Sequence, residues 1–532
     1  MLKALKSGTI IFLLFFFSCS PQESYDLVIQ GGRIVDGTGA TSYEANIGIV
    51  GNRIVKISNG QLKLKNGGEL IDAKGYIVSP GFIDMHTNVE VNIQDYPLAE
   101  NFIRQGITSI MASLHSGDQA YPLGAYASQL EIAPNIGYFA GHSWIRKQVL
   151  GLENRQASPE ELDRMRDYVE QSMQQGALGL STGLEYVPAN YASEDEIIEL
   201  AKVAAKYNGV YFTHMRNEGS KLLESIRESI QLGKAANIPV EINHLKAAGQ
   251  NQWTWSERAL LLIDSARESG IQIHADIYPY TAFSTYSSIL IPQWAMAGGR
   301  EGLKRRVRNP DSLERIKSGM EQLFLSTGGG EDLSKIQFRA FPYDASFDGK
   351  TMKDYAESLG LAPTLKTGVE LLLELELKGG FIGIFHAMSE EDLENFISDP
   401  EIMFDSDGDL LTPGLGHPHP RCYGTFPKIL STYVRDKKLI SLEEAIRRMT
   451  SLAAEKIGQK DIGRIEEGAI SDIVVFDLEE IEDRSSYTDP HHFPRGIKHL
   501  LVNGTIVIKD EELSGKKPGR WLRRNQEHES FP

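Results

Sequence analysis

The sequence predicts an α/β fold in which a (β/α)8 TIM-like barrel is inserted into a small β-sandwich domain formed by the N- and C-terminal segments. Strand and helix patterns alternate through the middle of the chain in units of about 30 residues, which is typical of a parallel sheet. Short β-branched runs punctuated by Gly and Asn occur near both ends, for example at residues 26–29 and 472–476. The length of 532 residues suffices for one large barrel and a second unit.

These patterns set the domain boundaries that we predict. Residues 1–19 are expected to form a signal peptide, residues 25–78 and 458–523 the small β domain, and residues 79–457 the barrel. The stretch 286–378 is long for a single strand–helix unit and rich in helix-forming residues, so it predicts an inserted subdomain or lid.

The N-terminus has the pattern of an export signal. Lys3 and Lys6 precede the apolar run 9–17, and Ser18 and Cys19 follow it. This ending resembles a bacterial lipoprotein signal, which implies lipidation at Cys19 and a periplasmic or cell-envelope location. Cys422 is the other cysteine in the sequence, so a lipidated Cys19 leaves it without a disulfide partner.

Composition excludes some classes of partner. Apolar residues make up 41% and charged residues 24% of the chain, as in soluble globular proteins. The formal net charge of −17 argues against a nucleic-acid partner, which needs clustered Lys and Arg. Outside the N-terminal run no apolar segment is long enough to span a membrane, so membrane contact is expected only through the lipid. The sequence does not fix the oligomeric state.

Helix starts and strand patterns define the barrel units in order. Ser158 is a helix N-cap with Pro159 at the first helical position and Glu161 closing a capping box, and Ser193 with Glu196 repeats the box. Each predicted helix leads into a β-prone run. The predicted strands are residues 75–79 leading to His86, 177–181, 210–214, 240–244, 271–276, 381–385 and 402–405.

Three histidines end predicted strands. His86 follows the first barrel strand, and His214 and His244 end two strands that are 30 positions apart, 244 − 214. One strand–helix unit separates the latter two, so their imidazoles are expected side by side at the C-terminal rim of the barrel. Imidazoles so arranged predict a zinc or similar metal site.

Asp407 stands just past the last predicted strand. A carboxylate there could take the proton of an attacking water and pass it to a leaving nitrogen. Ser406, Asp407 and Gly408 are also good turn residues, so an ordinary turn is the alternative. Its position on the last strand, facing the first, favours catalysis.

Several motifs together resemble the N-acyl-D-amino-acid deacylases (D-aminoacylases) of the amidohydrolase superfamily. The first is Pro-Gly-Phe-Ile-Asp-Met-His-Thr-Asn at residues 80–88. The resemblance extends from about residue 25 to residue 523. The other motifs are residues 141–143, 176–184, 191–193, 213–218, 244–249, 276–282 and 417–426.

The resemblance implies metal-dependent hydrolysis of the amide bond of small N-acyl-D-amino acids, with zinc as the cofactor. His214 and His244 match ligands of a tightly held zinc, and Asp407 matches the catalytic aspartate. The positions that match substrate-binding residues, with Lys246 as a further candidate in the same pocket, are Tyr278, Ser284, Lys246 and Arg421.

Arg421 also has a physical reason to bind substrate. An N-acylated amino acid keeps its carboxylate, and a planar guanidinium can hold a carboxylate through two hydrogen bonds. The alternative is a surface arginine that follows a Pro-rich loop.

Two positions depart from the family pattern. Asn88 replaces the second histidine of the first strand, and His115 stands near a position where the family has cysteine or an acidic ligand. Both changes remove donors from the same second site, so the resemblance implies one tightly bound zinc and a weakened second site. His115 could complete a three-histidine centre with His214 and His244, or it could be a loop histidine without a role.

Two other functions stay open at this point. One is a different amidohydrolase reaction, on a cyclic amide or a dipeptide-like substrate, which needs no Arg421–carboxylate contact. The other is a binding protein of this fold that has lost catalysis through the changes at Asn88 and His115. The presence of His86, His214 and His244 together with Asp407 argues against the second. The preference for D over L substrates follows from the resemblance alone.

Overall fold

The computed structural model describes residues 24–89, 92–112 and 119–524. The signal peptide predicted over residues 1–19, with Cys19, lies outside these residues, and so does His115. The described chain begins with five strands. They are β1 (Ser24–Ile34), β2 (Tyr43–Val50), β3 (Arg53–Ser58), β4 (Lys63–Asp72) and β5 (Ile77–Pro80).

Strands and helices then alternate as the sequence predicts. These elements are β6 (Phe82–Thr87), α1 (Glu100–Ile103), β7 (Ile107–Ala112), α2 (Leu123–Ala127), β8 (Asn135–Tyr138), β9 (Ala140–Gly141), α3 (His142–Leu150), α4 (Pro159–Gln174), β10 (Gly179–Gly183), α5 (Glu194–Lys206), β11 (Val210–His214), α6 (Leu222–Ala236), β12 (Val240–Ile242), α7 (Ser256–Glu268) and β13 (Ile273–Ile277).

A helix-rich subdomain follows β13. It contains β14 (Phe283–Tyr286), α8 (Gly299–Arg306), α9 (Pro310–Ser326), β15 (Ile336–Ala340), α10 (Met352–Ser358), α11 (Leu365–Lys378), β16 (Ile382–Phe385) and four 3-10 helices (Ser287–Leu290, Gln293–Met296, Leu333–Lys335 and Ala345–Phe347).

The chain then completes the barrel and returns to the β domain. The elements are α12 (Glu390–Ser398), β17 (Ile402–Phe404), α13 (Arg421–Lys428) continued by a π-helix (Ile429–Asp436), α14 (Leu442–Met449), α15 (Ser451–Lys456), β18 (Ile473–Phe476), β19 (Ile497–Val502), β20 (Thr505–Lys509), β21 (Glu512–Leu513) and β22 (Trp521–Leu522).

The two ends of the chain share one sheet. Its order is β21-β20-β19-β18-β5-β1-β2-β3, with β4 paired to β1. The central junction joins β5 from before the barrel to β18 from after it, in antiparallel register with Val78 opposite Val475. The predicted fold class, a barrel inserted in a β domain built from both termini, is therefore confirmed.

The barrel strands pair in parallel and form two sheets. One sheet has the order β6-β7-β8, with β22 at its edge, and the other has the order β9-β10-β11-β12-β13-β17. Phe139 alone separates β8 from β9, so these two strands form one path. A parallel bridge between Thr87 and Gly408 brings the last strand beside the first. In the part of the chain that the structure describes, β6, β7, β8–β9, β10 to β13 and β17 thus supply the eight strand positions of a (β/α)8 barrel.

The prediction of a barrel strand at residues 381–385 is wrong. The strand there, β16, pairs antiparallel with both β14 and β15, with Phe385 opposite Phe283 and Ile336. It belongs to the three-stranded sheet of the inserted subdomain. A short apolar run has the same appearance in either sheet, and the pairing that decides between them involves residues far away in sequence.

The predicted helix caps are present. Ser158 and Glu161 form the reciprocal capping box with Pro159 in the first turn. The Ser193 side chain accepts a hydrogen bond from the Glu196 backbone N–H, but the buried Glu196 side chain pairs with Arg146, so the second predicted capping box lacks its reciprocal half. Such caps typically stabilise a helix by about 1 kcal/mol, and they fix where each barrel helix begins.

The inserted subdomain has a core of its own. Phe324, Phe338 and Leu372 are buried in one apolar cluster that is separate from the main cluster of the barrel and its helices. Because this subdomain follows directly from β13, it stands at the C-terminal rim of the barrel and supplies part of the wall of a cavity there. No helix among the described residues is long and apolar enough to cross a membrane.

Candidate metal centre and active site

His86 and Asp407 meet where the first and last barrel strands lie side by side. The Asp407 backbone N–H donates to the His86 carbonyl at 3.0 Å, and His86 Nε2 lies 3.2 Å from Asp407 Oδ1. Beneath them Asp84 accepts hydrogen bonds from the backbone N–H (2.9 Å) and the hydroxyl (2.5 Å) of Ser406. The Asp84 carboxylate therefore ties the loop that carries Asp407 to the first strand.

Asn88 takes part in the same contact. Its side-chain amide donates to Asp407 Oδ1 at 2.9 Å and to the Asp407 carbonyl at 3.1 Å. The residue that replaces the second histidine of the strand motif thus orients the aspartate. An amide N–H offers no lone pair to a metal, so this arrangement fits the expectation of a weakened second site.

His214 and His244 are neighbours, as their spacing predicts. His214 Nδ1 lies 2.9 Å from His244 Nε2. The backbone N–H of His244 donates to the Asp276 carboxylate on the next strand, which fixes the residue at a positive φ of 39°. Burial lowers the pKa of His214 to about 4 and that of His244 well below its usual value, so both rings are neutral at pH 7.

Glu218 and Glu185 also contact these histidines, and the sequence reasoning missed both. Glu218 Oε1 lies 2.9 Å from His244 Nδ1, and both Glu218 oxygens accept from Lys246 Nζ at 2.8 Å. Glu185 Oε2 lies 3.0 Å from His214 Nε2. A signal existed for Glu218, because it follows the strand-end His214 by four residues inside one of the family motifs.

Two sets of side chains place candidate ligand atoms within 4.8 Å of one another. One is His86, His244 and Asp407, and the other is His214, Glu218 and His244. Buried neutral imidazoles and carboxylates are the donor set that zinc prefers. The residues present therefore fit a zinc-type ion, and His244 belongs to both sets.

Arg421 is buried behind Asp407. Its side chain is 1% exposed, and its Nη1 lies 2.7 Å from Asp407 Oδ2. Its guanidinium stands 4.8 Å from the Tyr278 ring centroid, and Nη2 donates to the Ser284 carbonyl at 3.4 Å. Burial raises the pKa of Asp407, but the positive charge of Arg421 and the hydrogen bond with His86 outweigh this effect and hold that pKa well below its usual value. Asp407 is therefore an anion at neutral pH.

A cavity of about 1,070 Å³ opens onto these side chains. Its wall includes Asn88, His214 and Asp407 from the barrel, and Lys246 and Ser284 among the predicted substrate-binding residues. Within the described part of the chain, Arg421 and Tyr278 are not on that wall but lie behind Asp407 and Ser284.

Comparisons with known proteins agree with this geometry. A model of an amidohydrolase family matches residues 404–508, the part of the chain that contains Asp407 and Arg421. The chain is 30% identical to a D-aminoacylase of Alcaligenes xylosoxydans xylosoxydans, in an alignment that covers 95% of this chain and 99% of the relative. The chain belongs to the D-aminoacylase family of amidohydrolases. An N-acyl-D-glutamate deacylase of the same organism is 31% identical, with 95% and 98% covered.

Solved structures of D-aminoacylase relatives share the whole fold. An N-acyl-D-glutamate deacylase from Bordetella bronchiseptica, crystallised with zinc and a phosphonate that mimics the tetrahedral intermediate, has a TM-score of 0.79 at 28% identity and covers 94% of this chain. A D-aminoacylase with a TM-score of 0.78 at 28% identity has a binuclear metal centre, in which one metal activates and the second attenuates. In both comparisons the whole of the solved chain is covered.

Proposed function

We propose that this protein is a zinc-dependent N-acyl-D-amino-acid deacylase, which hydrolyses the amide bond and releases a carboxylate and a free D-amino acid. The observation that carries the proposal is the meeting of His86, His214, His244 and Asp407 at one end of the barrel. This constellation occurs in a chain whose relatives over almost its whole length are deacylases of N-acyl-D-amino acids.

The zinc would be held by His214 and His244, with His86 and Asp407 beside them. Zinc bound there supplies Lewis acidity, which polarises the acyl carbonyl and activates water at neutral pH. We propose one tightly bound ion, because Asn88 donates to Asp407 where the family has a ligand. His115 is proposed as a third histidine ligand, and it lies outside the described residues.

Asp407 is proposed as the group that moves the proton. Its low pKa keeps it ionised and ready to accept the proton of the attacking water, which it then donates to the leaving nitrogen. Asn88 and His86 hold its Oδ1, and Arg421 holds its Oδ2. The carboxylate plane is therefore fixed without any contribution from the substrate.

The substrate carboxylate is proposed to bind beside Asp407. Ser284 and Lys246 stand on the cavity wall there. Arg421 lies behind Ser284 and stays paired with Asp407, so its positive charge favours a carboxylate at this end of the cavity. Tyr278 supports the Arg421 guanidinium from beneath, with its ring 4.8 Å away.

The proposed function is tested by a ninhydrin assay of purified protein with N-acetyl derivatives of D- and L-leucine, D- and L-glutamate and D-alanine. We expect free amino acid from D substrates, with the L isomers much slower. Release of L-amino acids at equal rates, or hydrolysis of a cyclic amide such as a hydantoin in place of all linear substrates, would contradict the proposal.

Changing Arg421 should move the pH dependence of the reaction. The guanidinium lowers the pKa of Asp407 against the effect of burial, so in Arg421→Met that pKa rises and the aspartate protonates at higher pH. We expect the acidic limb of the kcat/KM profile to shift to higher pH. Arg421→Lys, which keeps a positive charge, is the matched control and should shift it less. Superimposable profiles for the wild type and Arg421→Met would show that Arg421 does not set this pKa.

We also propose that the protein is exported and anchored in the cell envelope by a lipid on Cys19. The N-terminal pattern of Lys3, Lys6 and the apolar run 9–17 supports this. Labelled fatty acid should be incorporated into the wild type and not into Cys19→Ala, with Cys422→Ala as the control that keeps the label. A mature protein that still begins at Met1 would contradict the anchor.

A further inference from the structure

The cavity extends away from the candidate metal ligands. Tyr186 is a wall residue next to them. The Tyr186 ring lies 4.7 Å from the His214 ring, centroid to centroid. Its hydroxyl lies 3.0 Å from Thr285 Oγ1 on β14. Tyr186 therefore connects the metal-ligand end of the cavity to the inserted subdomain.

Beyond Thr285 the wall carries apolar side chains together with polar ones such as Arg315 and Gln322, and we call its apolar part the apolar arm. Arg315 lies over the Trp294 ring, 4.3 Å from its centroid, and the Gly298 N–H donates to the Leu152 carbonyl at 3.0 Å. The side chains of the arm are Leu152, Tyr286, Ile289, Trp294, Met296 and Leu323.

Part of this apolar surface is open to solvent. Tyr286 is 54% and Leu152 36% exposed, although both line the same cavity as the proposed catalytic Asp407. Contiguous exposed apolar side chains beside a polar site are typical of a surface that a ligand covers. The apolar arm therefore shares one cavity with the proposed catalytic Asp407.

The volume of the cavity points to the same kind of ligand. Cavities of about 300–1,000 Å³ hold drug-sized molecules, and this one measures about 1,070 Å³. An N-acetylated amino acid is much smaller than such molecules and would leave the apolar arm empty.

We propose that the apolar arm binds a medium- to long-chain acyl group of the substrate, an inference that rests on the proposed function. In an N-acyl amino acid the acyl chain starts at the carbonyl carbon, which must face the ligand histidines, whereas the carboxylate must face Ser284 and Lys246. The arm begins at Tyr186, against His214. A chain that leaves the carbonyl carbon therefore enters the arm directly.

Hydrolysis of a series of N-acyl-D-alanines tests the proposal. We expect kcat/KM to rise from the acetyl through the hexanoyl to the decanoyl substrate. Each fully buried methylene contributes a factor of about three to four. Because the outer part of the chain stays near solvent, the total gain expected between acetyl and decanoyl is on the order of 100-fold.

Variants of the arm should remove this preference. In Ile289→Asp and in Trp294→Ala the ratio of kcat/KM between the decanoyl and acetyl substrates should fall by about tenfold or more, because each removes apolar contact from the arm. The ratio is measured within one variant, so a smaller folded fraction cancels. Leu261→Asp is the matched control, since Leu261 lies on α7 and is 69% exposed, and it should keep the wild-type ratio.

The outcomes separate this inference from the function on which it rests. Hydrolysis of N-acetyl-D-alanine with no gain from longer acyl chains would overturn the inference alone. A gain with acyl length that Ile289→Asp and Trp294→Ala both retain would also overturn it, because the chain would then bind elsewhere. No hydrolysis of any N-acyl-D-amino acid would overturn the proposed function and the inference together.

Discussion

Replacing Asp407 by asparagine should lower kcat for N-acyl-D-amino acids by about 10²–10⁴-fold, which is the usual contribution of a positioned proton-transfer group. Asparagine keeps the size of the side chain and can still contact His86 and Asn88, but it cannot accept the proton of water. The zinc content should change little, because His214 and His244 remain. The measurement is kcat beside the zinc content of the same purified sample.

A stability control is needed for this variant. Asp407→Asn leaves the buried Arg421 guanidinium without its anionic partner, and breaking a buried pair in this way typically costs about 3–5 kcal/mol. Activity should therefore be expressed per folded protein, with the melting temperature measured in parallel. Asp409→Asn is the matched control on the same loop, since Asp409 pairs with Arg339 and not with the ligand histidines. Wild-type kcat in folded Asp407→Asn would remove Asp407 from the catalytic role.

Replacing His244 by alanine should remove the zinc and reduce the activity to background. His244 belongs to both candidate donor sets, so no complete set survives its loss. His214→Ala should also lose most of the zinc, whereas His86→Ala leaves His214, Glu218 and His244 in place and should retain more. Elemental analysis of the purified variants measures how much zinc each one retains. Full zinc occupancy in His244→Ala would contradict the assigned centre.

The same assay decides the role of His115. If it is the third histidine ligand, His115→Ala should lose zinc to a similar extent as His214→Ala, since a three-ligand site reduced to two loses both affinity and geometry. Zinc retained in His115→Ala at the wild-type level would exclude it from the centre.

The sequence could predict those residues whose position depends on the barrel alone. His214 and His244 end adjacent parallel strands, and the rule that such ends meet at one rim is enough to bring them together. The proximity of Asp407 and His86 can be predicted in the same way, because closure of a barrel brings its last strand beside its first. Local signals were equally informative, as the capping box at Ser158 shows.

Residues that act through loops and long-range pairing could not be predicted in this way. Glu218 contacts His244 only because the loop after β11 folds back, and Arg421 pairs with Asp407 across a loop of irregular structure. The placement of β16 depended on which distant strand it pairs with. In each case the local pattern allowed several partners, and tertiary packing selected one.

The structure adds a role for Asn88 that the sequence does not show. In the sequence, Asn88 only marks the absence of a histidine ligand that the family pattern has. The structure adds what the asparagine does, because its amide N–H groups hold the carboxylate and the carbonyl of Asp407. The asparagine that is expected to weaken a second metal site therefore also contacts the proposed proton-transfer group.

We propose that one zinc ion at His214 and His244 makes this chain a deacylase of N-acyl-D-amino acids. The most direct test is to remove the metal with a chelator and titrate zinc back while following the release of leucine from N-acetyl-D-leucine and N-acetyl-L-leucine. We expect no activity without metal, and then a rise in activity with the D substrate that is complete at about one equivalent of zinc. Activity in the metal-free protein, or a rise that appears only with a second equivalent, would contradict this proposal.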